Sequence, residues 1–132
     1  MELTSEQSDH LSGHQWATLA TGRKDGSPQV SLIGYSWTGR EVLVTFRRSS
    51  AKRHNIARQP RVALLVADGR RALTLYGDAE LLEQDPERVE VFEQILARFG
   101  APATPRDELA RRLDEEGRVV ARISPTGADL HE

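Results

Sequence analysis

Hydrophobic and polar residues alternate along much of the chain in short segments that end at glycine, proline or aspartate. Alternation with a period of two is typical of β-strands, and Gly, Pro and Asp mark the turns between them. The pattern predicts six strands, at Trp16–Arg23, Gln29–Trp37, Glu41–Arg48, Arg61–Asp68, Ala72–Leu82 and Arg118–Ser124. The fourth, RVALLVAD, is almost continuously apolar, which predicts a strand buried on both faces.

Four further segments have the period or the terminal signals of helices. Thr4 and Gln7 have capping-box spacing, and Ser50 is a favourable N-cap for a two-turn helix over residues 51–58. DPERVEVFEQILARFG gives the strongest helix signal, and RDELARRLDEEG predicts a more polar helix after it. Strands joined mostly by tight turns, with one helix after the third strand and two before the last, favour a small antiparallel barrel. We expect one mainly β domain, a β-barrel with peripheral helices, over residues 1–132.

Composition excludes several kinds of chemistry. The 132 residues include 18 Lys and Arg, 20 Asp and Glu, and no cysteine, so disulfides, thiolate metal sites and a Cys nucleophile are excluded. The four histidines have no paired ligand spacing, and no metal site is expected. The polar start of the chain is unlike a secretory signal, and no apolar run approaches the roughly 18 residues of a membrane span. These features predict a cytoplasmic protein without a membrane partner.

The basic segment, residues 47–58 with the sequence RRSSAKRHNIAR, stands out in a chain of net charge −2. Its helix N-terminus would carry two serine hydroxyls and four nearby cations, a combination that suits phosphate. A solvated helix face explains the same charges and remains an alternative. A nucleic-acid patch is disfavoured, because no aromatic residues are interleaved with the charges for stacking. No phosphate loop, Rossmann fingerprint or GxSxG elbow occurs, so an enzyme of this sequence would depend on a bound cofactor.

Four stretches in this order resemble the flavin-binding split-barrel superfamily, the fold of pyridoxamine 5′-phosphate oxidase. They are ATLATGRKDGSPQVSLIGYSW, EVLVTFRRSSAKRHNIARQPRVALLV, LYGDAEL and RVVARISP. The resemblance covers about four-fifths of the chain and implies a six-stranded antiparallel split barrel of the FMN-binding type. Members are typically homodimers with the cofactor at the subunit interface.

The resemblance also implies which residues hold the cofactor. Its phosphate would lie against Ser49, Ser50 and Lys52, with Arg47 and Arg53 as weaker candidates. The ring system would lie over the strands that contain Val30, Ser31, Leu32, Thr45 and Phe46. Arg71 and Tyr76 are further candidates from the second wall of the site.

The C-terminal RISPTGADLHE lacks the Arg-x-His-x-Arg signature with which pyridoxamine phosphate oxidases hold their substrate. The segment SAKRHN instead resembles the SAK.RN pattern of the branch that uses the deazaflavin coenzyme F-420, with His54 in place of the Arg often seen before the Asn. The resulting hypothesis is an oxidoreductase that transfers a hydride between reduced F-420 and an unsaturated organic substrate. An FMN-dependent reductase or oxidase and a non-catalytic cofactor binder remain alternatives. No catalytic residue is identified, and solvent, Tyr35 or Tyr76 could supply a proton.

Overall fold

Seven strands form a single antiparallel sheet in the computed structural model, which describes all 132 residues. The strands are β1 (Trp16–Gly22), β2 (Pro28–Gly34), β3 (Ser36–Trp37), β4 (Val42–Arg47), β5 (Arg61–Asp68), β6 (Arg71–Leu82) and β7 (Arg118–His131). The helices are α1 (Ser5–Ser12), α2 (Ala51–Arg58), α3 (Glu87–Arg98) and α4 (Arg106–Glu116). None of the four helices is long and apolar enough to cross a membrane.

The sheet is curled, so that the strands near its two ends come together. Its order is β2-β1-β5-β6-β7-β4-β3, and β7 is long enough to pair with both β6 and β4. β2 and β4 contact each other across the interior but form no ladder of backbone hydrogen bonds. We call the opening between these two strands the split. The mainly β split barrel with peripheral helices is therefore confirmed.

Apolar side chains pack on both sides of the curled sheet. Eighteen buried residues, including Leu19, Val44 and Phe46, fill its interior. A second cluster of nine packs α3 and α4 against the outside of β4 and β7, where Leu43 and Val120 are buried. This second core fixes the helical pair beside the split.

Three details of the sequence-based fold are wrong. The segment predicted as one strand from Gln29 to Trp37 is interrupted at Tyr35, whose N–H donates to Gln15, and this raises the strand count from six to seven. β7 continues to His131 instead of ending at Ser124, because it pairs with the whole length of β6. β5 is not buried on both faces, since its buried and accessible residues alternate.

Gly77 lies where β6 bends, at the register shift in its pairing with β7. A Cβ atom at this position would lie 2.6 Å from the carbonyl oxygen of Ser124, and that backbone atom cannot move aside cheaply. At Gly127, in the neighbouring strand, the nearest atom to an added Cβ is Tyr76 Cδ2 at 3.7 Å, an ordinary contact.

We therefore expect Gly77→Ala to lower the free energy of unfolding by about 1–3 kcal/mol, the usual cost of overpacking. Gly127→Ala, the matched control, should change it by less than about 0.5 kcal/mol. Urea unfolding of both variants measures the difference. Equal stability of the two would show that the close approach at Gly77 does not constrain the barrel.

Candidate functional site

The split exposes backbone on both of its edges. β2 is the last strand at one end of the sheet, so its outer edge has no neighbour. β3 pairs with one edge of β4, but only at Val42 and Leu43. That edge of β4 is therefore unpaired from Val44 to Arg47. Unpaired N–H and C=O groups in a strand edge are available to hydrogen-bond a ligand.

The basic segment begins where β4 leaves the split. After Arg47 the chain turns through residues 48–50 into α2, and Ser50 is the N-cap, its hydroxyl oxygen accepting from the N–H of Arg53 at 3.3 Å. The predicted helix and cap are confirmed. The hydroxyl hydrogen of Ser50 remains free to donate, and Ser49 beside it is exposed. The helix N-terminus therefore keeps the donors that suit a phosphate.

Three cations of this segment, Arg47, Arg48 and Lys52, form no salt bridge. Arg47 donates from Nη1 only to the backbone oxygen of Glu116, at 3.1 Å. No carboxylate lies within salt-bridge distance of these groups, although the charge of Arg48 helps to lower the pKa of Glu83, so the three cations attract a compact anion to the point where β4 meets α2.

Arg53, in contrast, is already paired. Its Nε and Nη2 donate to the two carboxylate oxygens of Glu83 at 2.8 and 3.1 Å, and both side chains are about three-quarters buried. The hydrogen bond from Arg53 lowers the pKa of Glu83 below its ordinary value. Arg53 is therefore the least available of the predicted phosphate ligands.

A buried amide holds α2 against the first hairpin. Asn55 donates from Nδ2 to Thr21 Oγ1 at 3.1 Å and to Gln29 Oε1 at 2.8 Å, and its oxygen accepts from Arg58 at 3.2 Å. Asn55 and Thr21 are both buried. This network fixes the basic segment relative to β2 on the other side of the split.

Strand alternation divides the predicted ring-binding residues between two faces. In β2, Val30 and Leu32 point outward and are 64% and 71% exposed, whereas Ser31 lies on the inner face opposite Leu19. In β4, Phe46 is buried in the interior core and Thr45 points outward, donating to the oxygen of Val119. Their side chains therefore cannot all contact one ring.

The second-wall candidates lie away from the basic segment within the chain. Arg71 begins β6 beside α1, where it pairs with Glu6 and Glu132, at the far end of the β5–β6 hairpin from Arg61. Tyr76 lies midway along β6 and is 54% exposed. Neither side chain reaches the split from the same chain.

Tyr35 is not available as a proton donor to a ligand. It is 1% exposed, its hydroxyl donates to the oxygen of Leu11 at 2.7 Å, and burial raises its pKa to about 12.

Sequence reasoning missed three residues that organise the site: Asn55, Glu83 and Glu116. Asn55 stood in the quoted motif, but its partners on β1 and β2 are 34 and 26 residues away in the chain. Glu83 and Glu116 have no local signal, since carboxylates at the ends of strands and helices are common. Their roles depend on which arginine the fold brings beside them.

Comparison with known proteins shows which family this chain resembles. The family model described as pyridoxamine 5′-phosphate oxidase matches residues 3–131. Among solved structures, a conserved hypothetical protein, Rv2991 from Mycobacterium tuberculosis, is 27% identical, with a TM-score of 0.81 over 100% of this chain and 86% of that chain. An F-420 reductase is 26% identical, with a TM-score of 0.75 over 96% of this chain and 98% of that one.

A heme storage protein, HutZ from Vibrio cholerae, shares the fold at 20% identity, with a TM-score of 0.69 over 98% of this chain and 95% of that chain. At this identity the likeness shows the fold alone. The comparisons as a whole support a flavin-related oxidoreductase.

The Arg53–Glu83 pair leads to a prediction about pH. A carboxylate whose pKa is lower in the folded protein stabilises the fold above its unfolded pKa, and this contribution is lost as pH falls through the folded value. We expect Glu83→Gln to cost about 1 kcal/mol of unfolding free energy at about pH 7 and almost nothing at about pH 2.

Urea unfolding at the two pH values tests this, with the exposed Glu87, which forms no salt bridge, changed to Gln as the control. If Glu83→Gln lowered the free energy of unfolding equally at both pH values, the ion pair of Glu83 with Arg53 would not be the source of the stabilisation.

Proposed function

The chain belongs to the pyridoxamine 5′-phosphate oxidase family, and from this premise we propose that it is an oxidoreductase that transfers a hydride between reduced coenzyme F-420 and an unsaturated organic substrate. The observation that carries the proposal is the meeting of the split with the unpaired cations Arg47, Arg48 and Lys52. A planar ring with a phosphate on its side chain suits such a site, because the ring can lie along the strand edges while the phosphate lies at the helix N-terminus.

The residues present fit a phosphate-bearing cofactor. Lys52 and Arg47 would bind the phosphate through charge-assisted hydrogen bonds, and the hydroxyls of Ser49 and Ser50 would donate to its remaining oxygens. Arg53 would act indirectly, since Glu83 holds it. Thr45 and the edge backbone of Val30, Ser31 and Leu32 would contact the ring, whereas the side chain of Phe46 would support the strand from inside.

The bound reduced coenzyme would supply a hydride to an electron-poor carbon of the substrate. The protein would hold the ring and the substrate in contact and exclude water from one face. Buried Tyr35 cannot deliver the accompanying proton, which leaves solvent or Tyr76 as its source. F-420 is favoured over FMN by the 26% identity with the F-420 reductase. The absence of the B6-specific C-terminal signature argues against a B6 substrate.

FMN is the second candidate, because the same phosphate site suits it and the matched family is that of a B6-phosphate oxidase. A non-catalytic cofactor binder is the remaining alternative. It differs from both enzymes in one measurable respect, since it would bind a cofactor without passing a hydride to any acceptor.

The outer face of the sheet supports a homodimer. Two rows of side chains cross β2, β1, β5 and β6: Val30, Ala20, Ala63 and Tyr76 form one row, and Leu32, Thr18, Leu65 and Thr74 form the other. Val30, Leu32, Leu65 and Tyr76 are all at least 40% exposed. Monomers rarely expose so continuous an apolar surface. A second copy covering it would also bring its own residues to the site, including Tyr76.

We expect the purified protein to bind F-420 with quenching of the coenzyme fluorescence, and more tightly than FMN. Lys52→Glu should weaken binding about 10- to 100-fold, the cost of losing one or two charge-assisted hydrogen bonds and adding a repelling carboxylate. Arg70→Glu makes the same charge change at an exposed turn by α1 and should leave binding unchanged.

A preference for FMN would move the protein to the second candidate. If neither cofactor bound, or if Lys52→Glu had no more effect than Arg70→Glu, the proposal would be refuted. Tight binding without hydride transfer to any tested acceptor would identify a carrier.

We expect Leu32→Asp to convert the dimer to a monomer, because each copy would place a new carboxylate in the interface. Gln94→Asp, at an exposed position of α3, is the control that should leave the dimer intact. Analytical ultracentrifugation gives the masses, and urea unfolding checks that the Leu32→Asp chain is folded. A wild-type chain that sediments as a monomer would contradict this part of the proposal.

A further inference from the structure

A cavity of about 320 Å³ adjoins Thr45 on the outer side of β4. It lies between the start of β1, the end of β2 and the helical pair. We call it the Trp16 pocket; its walls are Trp16, Gly34, Thr45, the α3 side chains Phe92, Ile95 and Leu96 with Phe99 just beyond them, and the charged residues Arg112, Glu116 and Arg118. The proposed ring contacts do not use it beyond Thr45.

One wall of the pocket is aromatic and open to solvent. Trp16 is 58% exposed and Phe99 is 38% exposed, and their rings meet edge to face with centroids 6.1 Å apart. Phe99 lies across Gly34, where an added Cβ would come within 3.0 Å of its ring. Glycine at position 34 thus allows the aromatic wall to form. Two large rings left accessible beside a cavity favour a ligand with a flat apolar surface.

The opposite wall is positively charged. Arg112 and Arg118 each donate from Nε to a different carboxylate oxygen of Glu116, at 2.8 and 3.1 Å. These hydrogen bonds lower the pKa of Glu116, that from Arg112 having the larger effect, so the carboxylate stays ionised. The terminal Nη groups of both arginines have no hydrogen-bond partner in the protein. Two arginines held by one carboxylate leave a net positive charge and free donors at the pocket.

Arg112 also lies over the ring of Phe92, with its guanidinium carbon 5.6 Å from the ring centroid. Stacking and the Glu116 hydrogen bond fix the guanidinium plane, so less side-chain entropy is lost when it binds an anion. The geometry is that of a preorganised carboxylate site beside a flat apolar wall.

We propose that the Trp16 pocket binds the acceptor substrate and selects a planar conjugated molecule that carries one carboxylate. This inference rests on the proposed function, because Thr45 borders both the pocket and the proposed ring site. The aromatic pair would cover the flat part of the substrate, and Arg112 and Arg118 would bind its carboxylate. Since a 150 Å³ cavity holds a benzene ring, about 320 Å³ accommodates roughly two fused rings with a substituent.

The probe for the test is 2-naphthoate, with the uncharged 2-naphthamide as its comparison. The chain has two tryptophans, and the indole N–H signals in a proton–nitrogen NMR spectrum report on each separately. Trp37 provides the internal control, because its indole N–H donates to Ser8 and its side chain lines a different groove, beside the N-terminal residues. Addition of 2-naphthoate should shift the Trp16 signal in a saturable way and leave the Trp37 signal unchanged.

Arg112→Met removes the charge but keeps an unbranched side chain over Phe92. We expect it to weaken 2-naphthoate binding about tenfold, and to change 2-naphthamide binding by less than about twofold. Arg111→Met, at the adjacent exposed arginine of the same helix, is the matched control and should have no effect on either ligand.

Equal effects of Arg112→Met and Arg111→Met, or equal shifts of both tryptophan signals, would overturn the proposal. So would competitive displacement of 2-naphthoate by F-420 or FMN, because the pocket would then be part of the cofactor site. The cofactor titration is read separately. The protein could bind neither cofactor and still show the 2-naphthoate shift of the Trp16 signal, with that shift lost in Arg112→Met. The ligand class of the pocket would then be upheld, and only the proposed function would fail.

Discussion

The pairing of β7 with two strands is the interaction on which the rest of the structure depends. β7 is hydrogen-bonded to β6 along nearly its whole length and to β4 over residues 118–123. β4 is thereby held next to the short terminal strand β3 at one end of the sheet, while β2 is attached through β1 at the other. If β2 and β4 paired instead, the barrel would close and their edge groups would be used within the sheet. The split exists because the edge of β4 that β7 does not use stays unpaired from Val44 to Arg47, facing the free edge of β2.

Two carboxylates determine how the positive charge around the split is distributed. Glu83 binds Arg53, and Glu116 binds Arg112 and Arg118, so three arginines are fixed in position. The backbone oxygen of Glu116 also accepts from Arg47, whose Cα lies opposite that of Arg118 in the β4–β7 ladder. Like charges that face each other across a ladder repel, and Glu116 offsets this repulsion. Fixed and free cations are thus separated by a few residues, which gives the region two chemically different surfaces.

Local signals were enough to predict most of the fold. The cap at Ser50 and the capping box at Thr4 each follow from residues a few positions apart, and the structure confirms them. The basic segment was also recognised, because charge and cap chemistry lie together in the sequence.

What could not be predicted depends on long-range contacts. In the structure Phe46 points to the interior and Thr45 to the outside. Alternation predicts that neighbouring side chains lie on opposite faces, but it does not tell which of the two faces inward when both residues are compatible with burial. The sequence did not predict the exposed side of β5. A continuous apolar run has the same pattern whether its outer face is buried by the same chain or exposed to solvent. The pairing of Arg53 with Glu83 joins residues 30 apart, and the pocket walls come from six separate elements.

The buried amide of Asn55 has a consequence for cooperativity. α2 has eight residues, and isolated helices shorter than about 12 residues are marginal in water. Its order comes from Ile56 in the core and from the bonds of Asn55 to Thr21 and Gln29. Opening the helix would leave the buried hydroxyl of Thr21 and the half-buried amide of Gln29 without these partners. The basic segment and the β1–β2 hairpin are thus coupled into one unfolding unit, and their slowest amide hydrogens should exchange together.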